Sequence, residues 1–177
     1  MNYLTTVYSR EEKPKTKYPK LLAQHIFDNF IKSANKNLLE TGCGRGDLLE
    51  EFRKLGLKVK GTDLLKNAGS EYKKLEIVRN NIEKEKLPFE DNSFDVIFSK
   101  SFVEHLYKPD IFFNESIRIL KKNGILITLT PDWEVQVKKF YDDWTHKTPF
   151  TKITLSNLYK VSGFNNVQIN YFKQLPI

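Results

Sequence analysis

The sequence contains a single cysteine, Cys43, and therefore cannot form an internal disulfide. Small folds that depend on disulfides are secreted, so a lone thiol fits a reducing compartment. No apolar run approaches the ~20 residues that a transmembrane helix needs. Residues 1–20 are polar and rich in lysine, without the apolar stretch of a secretory signal. These absences predict a cytoplasmic protein with no membrane span.

Arginine is scarce as well, with five arginines among the 29 basic residues. Lysine therefore carries the formal net charge of +7, and the lysines are spread along the whole chain. Proteins that read nucleic acids cluster their basic residues on one face and use arginine at the base edges. The distribution favours a solvated lysine-rich surface over a nucleic-acid interface; an anionic partner is the alternative.

The 177 residues lack internal repeats and low-complexity tracts, and 40% of them are hydrophobic, as in a globular domain. Residues 1–17 mix charges of both signs around Pro14 and predict a flexible N-terminal arm. Residues 18–177 predict a single domain, because their length suits one hydrophobic core.

Helical and strand-like segments alternate along this domain. The predicted helices cover residues 18–33, 47–55, 67–74, 109–120 and 154–162, and the predicted strands cover 38–39, 57–61, 75–78, 94–98, 125–129 and 167–172. The helix at 109–120 is expected to bury Ile117 and to be capped by Asn123-Gly124. The alternation is typical of a doubly wound, Rossmann-like α/β fold with a mostly parallel sheet and helices on both faces.

Only one strand, at residues 167–172, can be assigned near the C-terminus, so no second strand is available there to pair with it. We expect either a truncated C-terminal strand pair or a natural minimal form with an exposed sheet edge, and thus a monomer or a homodimer.

A glycine-rich turn, Gly42-Cys-Gly-Arg-Gly46, follows the first predicted strand. In open α/β sheets, ligands bind beyond the carboxyl ends of the strands, beside the first strand. A dinucleotide fingerprint would need glycine or alanine at position 47, which is aspartate. Asp47 and nearby Glu40 would repel a pyrophosphate, which disfavours an NAD(P)-dependent reductase. A cationic ligand without phosphates, such as S-adenosylmethionine, suits this turn better.

The run from Leu38 to Asp47 resembles motif I of class I S-adenosylmethionine-dependent methyltransferases, and Lys58-Val-Lys-Gly-Thr-Asp63 resembles their motif II. Further segments similar to the methyltransferase-11-like group follow at residues 87–97, 103–106, 115–124, 130–131 and 146–151. The resemblance extends from residue 38 to about residue 164. It implies S-adenosyl-L-methionine as cofactor and S-adenosyl-L-homocysteine as product.

The resemblance also implies roles for individual residues of the cofactor site. Glu40 should lie near the ammonium of the methionine moiety, and Asp63 should accept hydrogen bonds from both ribose hydroxyls. Asn81 stands where the family commonly has an acidic residue. The other implied cofactor-binding residues are Gly42, Gly44, Gly46, Leu64, Ile82 and Ser99. Two alternatives stay open: the glycines serve only the turn, and Asp63 only caps its strand.

His146 and His105 are the candidates for a catalytic base, which a hydroxyl acceptor would need. His146 lies in the long loop after the fifth predicted strand, where acceptors usually approach. His105 lies in a Glu-His-Leu turn, where a histidine is more often a satisfied structural residue. No dense cluster of histidine, cysteine and acidic residues shows metal-ligand spacing, so no metal is predicted. Tyr3, Tyr8 and Arg10 are candidates for a lid.

Two motifs that are missing from the sequence narrow the range of possible methyl acceptors. Ser99-Lys-Ser-Phe102 differs from the Asp/Asn-Pro-Pro-Tyr/Phe signature of nucleobase amino-methyltransferases, and no paired-glutamate loop for protein arginine is seen. These absences favour O- or N-methylation of a small molecule, a sugar or another glycan-type acceptor, or a lipid-linked intermediate. The alternative is a non-catalytic binding module or partner subunit with the same fold.

Overall fold

The computed structural model describes residues 9–173. At its centre is a five-stranded sheet with the order β3-β2-β1-β4-β5, in which every pairing is parallel. The strands are β1 (Asn37–Thr41), β2 (Lys58–Asp63), β3 (Ile77–Arg79), β4 (Phe94–Lys100) and β5 (Leu120–Leu129). The order reverses at β1, as in a doubly wound α/β fold, and the predicted fold class is confirmed.

Helices connect these strands on both faces of the sheet. They are α1 (Tyr18–Ile26), α2 (Asp47–Lys54), α3 (Pro109–Ile119), α4 (Trp133–Gln136) and α5 (Lys152–Val161). A π-helical turn (Phe27–Ile31) extends α1, and 3₁₀ turns occur at Val103–His105 and Phe140–Asp142. Within the described range, none of the helices has the length and apolar character that crossing a membrane requires.

Two hydrophobic cores, one on each face, hold the helices against the sheet. Neighbouring residues of a strand point to opposite faces, so Leu38 joins one core and Leu39 the other. The first core packs α1 and α2 against β1 and β4 through Leu22, Ala23, Ile26, Leu49, Phe52, Val96 and Phe98. The second packs α3 and α5 through Phe112, Phe113, Ile119, Leu155 and Tyr159. A strand that is buried on both faces needs apolar side chains at successive positions, which explains the apolar runs in the sequence.

The helix predicted at residues 67–74 is wrong, because this segment forms a series of turns. Gly69 has a φ of +62°, which a right-handed helix excludes, and its N–H donates to the Gly44 carbonyl at 2.9 Å. A Cβ at this glycine would lie 2.0 Å from Cδ1 of Ile77. The segment therefore packs closely under the glycine turn instead of forming a helix.

The predicted cap at Asn123-Gly124 is also wrong. Helix α3 ends at Ile119, and both residues lie inside β5, where the register against β4 shifts and Asn123 adopts a φ of +64°. The pattern of an αL residue followed by glycine here marks a β-bulge and not a helix end. Ile117, expected to face inward, is 38% exposed because the buried stripe of α3 consists of neighbouring residues.

The strand predicted at residues 167–172 does not form. A strand needs a neighbour for its ladder of hydrogen bonds, and β5 is the last strand on this side of the described sheet. Val167 and Ile169 instead pack against the core that contains α5.

Candidate functional site

The glycine turn after β1 lies at the carboxyl edge of the sheet, where β1, β2 and β4 end side by side. Gly42, Gly44 and Gly46 all have positive φ, between +52° and +79°. A Cβ at Gly42 would lie 2.5 Å from the Phe102 ring, and one at Gly46 would lie 2.8 Å from Leu75. Turn geometry and close packing therefore require glycine at these two positions, whatever ligand binds.

Asp63 links the end of β2 to this turn. Its carboxylate accepts the backbone N–H of Gly44 at 2.8 Å and that of Leu65 at 2.9 Å. Burial raises the pKa of the Asp63 carboxyl. Each carboxylate oxygen accepts one of these backbone bonds and has capacity for another. The side chain thus caps its strand and also keeps acceptors available for a ligand.

Glu40 is the most unusual residue of the site. It is 3% exposed, and its Oε2 has no hydrogen-bond partner in the part of the chain that the structure describes. Burial raises the pKa of Glu40 well above its usual value, and the positive charge of Lys100 opposes this effect only in part. A buried carboxyl oxygen without a partner is costly. A cationic ligand group would satisfy this acceptor, so Glu40 fits the ammonium of S-adenosylmethionine.

The charge of Asp47 is already compensated. Its carboxylate accepts hydrogen bonds from Arg10 at 2.7 Å and from the Tyr72 hydroxyl at 2.6 Å, and it lies 3.1 Å from Arg45. Burial opposes ionisation of Asp47, but the bonds from Arg10 and Tyr72 prevail and lower the pKa of the carboxyl. The acidic character of the site therefore comes from Glu40 and Asp63.

Arg10 shows that the predicted N-terminal arm contacts the cofactor side of the fold. Besides Asp47 it binds Glu71, with Nε 3.0 Å from both carboxylate oxygens, and Arg45 donates to the Lys13 carbonyl at 2.7 Å. The other two lid candidates, Tyr3 and Tyr8, lie outside the described residues.

The remaining predicted cofactor residues differ in exposure. Leu64 is exposed after β2, as a residue that packs against an adenine ring would be. Asn81 is half-buried and uses its side-chain oxygen to accept the Glu83 N–H at 3.2 Å. Ile82 and Ser99 are buried, and the Ser99 hydroxyl donates to that of Thr128. Ile82 also packs into the core that contains α3 and α5.

A second polar group lies just beyond β4 and centres on Glu104. This residue is 0% exposed; its Oε2 accepts the Thr130 hydroxyl at 3.0 Å, whereas its Oε1 is buried without a partner in the described chain. Its backbone carbonyl accepts the N–H groups of Lys147 and Thr148 at 2.7 and 3.0 Å. The loop that follows β5 is thereby held against the end of β4. Burial raises the pKa of the Glu104 carboxyl.

This loop brings the two candidate bases together. The ring centroids of His105 and His146 are 4.8 Å apart, and Glu104 completes a group in which one ligand atom from each residue lies within 4.8 Å of the others. Glu104 was not among the predicted site residues. A glutamate–histidine pair directly after β4 is a signal in the sequence, but its proximity to His146 depends on the fold.

Lys100, at the end of β4, connects the two polar groups. Burial lowers the pKa of its ammonium group, and its charge acts on both Glu104 and Glu40. Phe102 lies between Lys100 and Glu104 in the sequence, and its ring packs against Gly42. The charge of Lys100 thus acts on the carboxyl groups of both polar groups.

Comparison with known proteins identifies related sequences. A family model described as a methyltransferase domain matches residues 39–128, just over half of the chain. Over 139 residues, the chain is 32% identical to a ubiquinone biosynthesis O-methyltransferase of Pelagibacter ubique, covering 67% of this chain and 55% of the relative. A sterol 4-C-methyltransferase of Caenorhabditis elegans is 28% identical over 141 residues, which are 72% of this chain and 42% of that protein. The chain thus spans about half the length of these relatives.

Solved structures share the fold. A crystal structure of an S-adenosylmethionine-dependent methyltransferase from Archaeoglobus fulgidus matches with a TM-score of 0.78 at 23% identity. The match covers 93% of this chain and 76% of that protein. At this level of identity the likeness establishes a common architecture.

Proposed function

The chain belongs to the methyltransferase-11 group of class I S-adenosylmethionine-dependent methyltransferases, and from this we propose that it transfers a methyl group from S-adenosylmethionine to a hydroxyl oxygen of an acceptor that has an apolar part. Such acceptors include aromatic small molecules and lipid-linked intermediates. Methylation of nitrogen or of a free sugar is the less favoured variant of the same activity.

The observation that carries this proposal is the buried Glu40 carboxylate without a partner for Oε2, close to the strand end at Asp63. A dinucleotide would bring a pyrophosphate to these two carboxyl groups; it has no hydrogen to donate to their oxygens, and it repels each of them when they are ionised. A sulfonium nucleoside brings an ammonium group that can pair with Glu40 and a ribose diol that can donate to Asp63. The charge and the hydrogen-bond acceptors of the site therefore favour S-adenosylmethionine over a dinucleotide.

The second polar group supplies what an oxygen acceptor needs. When bound, S-adenosylmethionine supplies a methyl group on a sulfonium, and the C–S bond breaks with its electron pair left on sulfur. Nδ1 of His146 lies 2.6 Å from the Phe140 carbonyl, which can only accept, so Nδ1 carries the proton and Nε2 is free to accept one. Nε2 of His146 takes the hydroxyl proton as the acceptor oxygen bonds to the methyl carbon.

The surface beside these histidines supports an acceptor with an apolar part. Trp144 is 73% exposed, and Tyr107 and Tyr141 are exposed as well. The ammonium of Lys147 lies over the rings of Tyr107 and Trp144, at 5.4 and 5.8 Å from their centroids. Exposed aromatic side chains clustered beside a polar site bind apolar or aromatic ligands. The relative named as a ubiquinone biosynthesis O-methyltransferase agrees with transfer to oxygen.

The experiment replaces the proposed base. His146→Gln is expected to lower formation of S-adenosylhomocysteine by about 10²- to 10⁴-fold, while the affinity for S-adenosylhomocysteine stays within about twofold. The control is His25→Gln, since His25 is exposed on α1; this variant should keep full turnover. Turnover is measured with a panel of hydroxylated aromatic, sugar and lipid-linked acceptors.

Two results would contradict the proposal. Equal loss of turnover and of cofactor affinity in His146→Gln would make this histidine structural. Tight binding of S-adenosylhomocysteine without turnover on any acceptor of the panel would favour the non-catalytic binding module.

A further inference from the structure

We propose that Glu104, His105 and His146 bind one divalent transition-metal ion at the acceptor end of the site. The binding of the ion follows from these three side chains alone. The role of the ion rests on the proposed function. With Nε2 of His146 occupied as a ligand, the ion takes the place of this nitrogen: it holds the acceptor hydroxyl and lowers its pKa, and the proton leaves to water.

The first argument is the state of the Glu104 carboxylate. Its Oε2 is fixed by Thr130 and its backbone by two amides of the loop after β5, yet Oε1 is fully buried and has no partner in residues 9–173. A buried carboxylate oxygen without a hydrogen bond destabilises the folded protein, and a bound cation would offset this cost. Glu104 belongs to the same group as two imidazole rings.

The second argument is the protonation of the two imidazoles. The Phe140 carbonyl fixes the proton of His146 on Nδ1. Thr145 donates its only hydroxyl proton to Asp143, so its oxygen accepts from Nδ1 of His105 at 2.9 Å. Both rings therefore carry a proton on Nδ1 and a lone pair on Nε2. Histidines that ligate metals are held in the same way by a carbonyl or by a carboxylate.

The third argument is the distance between the donors. One ligand atom from each of the three residues lies within 4.8 Å of the others. Bonds of about 2.0–2.2 Å at a tetrahedral metal ion place two donors about 3.3–3.6 Å apart. A pair at the 4.8 Å limit must therefore close by about 1.2–1.5 Å, which side-chain rotations can supply.

The donor set indicates the class of metal. Two imidazole nitrogens and one carboxylate oxygen suit Zn²⁺, Fe²⁺ or Mn²⁺ better than Mg²⁺, which prefers oxygen ligands. Three protein ligands leave a coordination position open. An acceptor hydroxyl in this position would lose its proton more readily, because a bound cation lowers the pKa of an oxygen ligand.

Isothermal titration calorimetry tests the site with Zn²⁺ and, separately, with Mn²⁺, on protein first treated with a chelator. We expect saturable binding of one Zn²⁺ per chain, with an affinity for Mg²⁺ at least about tenfold weaker. His105→Gln and His146→Gln should each weaken Zn²⁺ binding by at least about tenfold. His25→Gln, the matched control, should leave it unchanged.

A second measurement uses the absorption spectrum of the wild-type protein. Wild-type protein loaded with Co²⁺ should show the visible absorption of nitrogen and oxygen ligation without a thiolate charge-transfer band, since Cys43 is buried and burial raises the pKa of its thiol. Affinity for S-adenosylhomocysteine, measured in the same samples, should be unchanged in both histidine variants.

The proposal is overturned if neither Zn²⁺ nor Mn²⁺ binds saturably below about 1 mM, or if His25→Gln weakens binding as much as the other two. In that case the histidine pair acts as a base without a metal. Loss of S-adenosylhomocysteine binding by wild-type protein would instead contradict the proposed function, so the two failures can be told apart.

Discussion

Glu40 combines two properties that rarely occur together, namely full burial and an oxygen without a partner. Its raised pKa means that the free protein keeps the carboxyl protonated to a higher pH than usual. A ligand ammonium favours the ionised carboxylate and so lowers this pKa in the complex. The residue therefore couples cofactor binding to proton release.

This coupling gives a pH dependence with a defined sign. Between the lower pKa of the complex and the raised pKa of the free protein, binding of S-adenosylhomocysteine releases a proton, so affinity increases as the pH rises through this window. Calorimetry in two buffers of different ionisation enthalpy measures the protons released. Glu40→Gln should release none in this window, and identical proton release by the variant and the wild type would contradict the assignment.

Sequence motifs indicate site residues whose position depends on their neighbours in the sequence, and they miss residues that only the fold brings together. Asp63 and the glycines were found because their roles depend on neighbours in sequence: a strand end and a turn. Glu104 was overlooked because its significance depends on Thr130 and on the loop that carries His146. Chain segments that are distant in sequence meet there only after the sheet has formed. Which of these residues contact a ligand stays a prediction.

At the scale of elements, the segment that carries Arg10 is held by charge. Arg10 bridges Asp47, in the first turn of α2, and Glu71. The pKa of Asp47 lies below its usual value, so residues 9–17 are held at neutral pH and are released as the pH falls below about 3.9, through the lowered value. Residues 9–17 thus lie against the glycine turn as long as Asp47 is ionised.

Proteolysis can measure this docking. Arg10→Gln should accelerate trypsin cleavage after Lys15 and Lys17 several-fold, because a segment must leave the surface before it is cut. The matched control is Arg53→Gln, which removes an arginine that pairs with Glu50 within the same helix α2. Equal cleavage rates for Arg10→Gln and the wild type would show that these ion pairs do not hold the arm.

Errors in the predicted elements have physical causes. Each of the five strands overlaps a predicted strand, and β1 and β4 were predicted from apolar runs because they are largely buried on both faces. β5 begins at Leu120, earlier than the predicted residues 125–129. The helix at 67–74 failed because Gly69 needs a left-handed conformation that helical periodicity does not reveal. The strand at 167–172 failed because strand formation depends on a partner, which is not a local property.

At the scale of the whole molecule, the strand order places both polar groups at one edge of the sheet. In doubly wound sheets, ligands bind in a crevice where the strand order reverses, here between β1 and β4. Glu40 lies near the end of β1, and Glu104 lies shortly after the end of β4. The alternation of elements predicted this architecture. It did not predict that Arg10 and Arg45 compensate Asp47, so the acidic character of the crevice depends on Glu40 and Asp63.

The most direct test of this arrangement is the affinity for S-adenosylhomocysteine, measured by calorimetry on wild-type protein, Asp63→Ala and Asp95→Ala. Asp95 is a matched control: like Asp63 it accepts a backbone N–H beside a strand, but at the opposite edge of the sheet. We predict that wild-type protein binds S-adenosylhomocysteine and not NADH. Asp63→Ala should lose about 1.5–3 kcal/mol of binding free energy, and Asp95→Ala should bind normally. Unchanged affinity in Asp63→Ala, or binding of NADH in place of S-adenosylhomocysteine, would contradict the account.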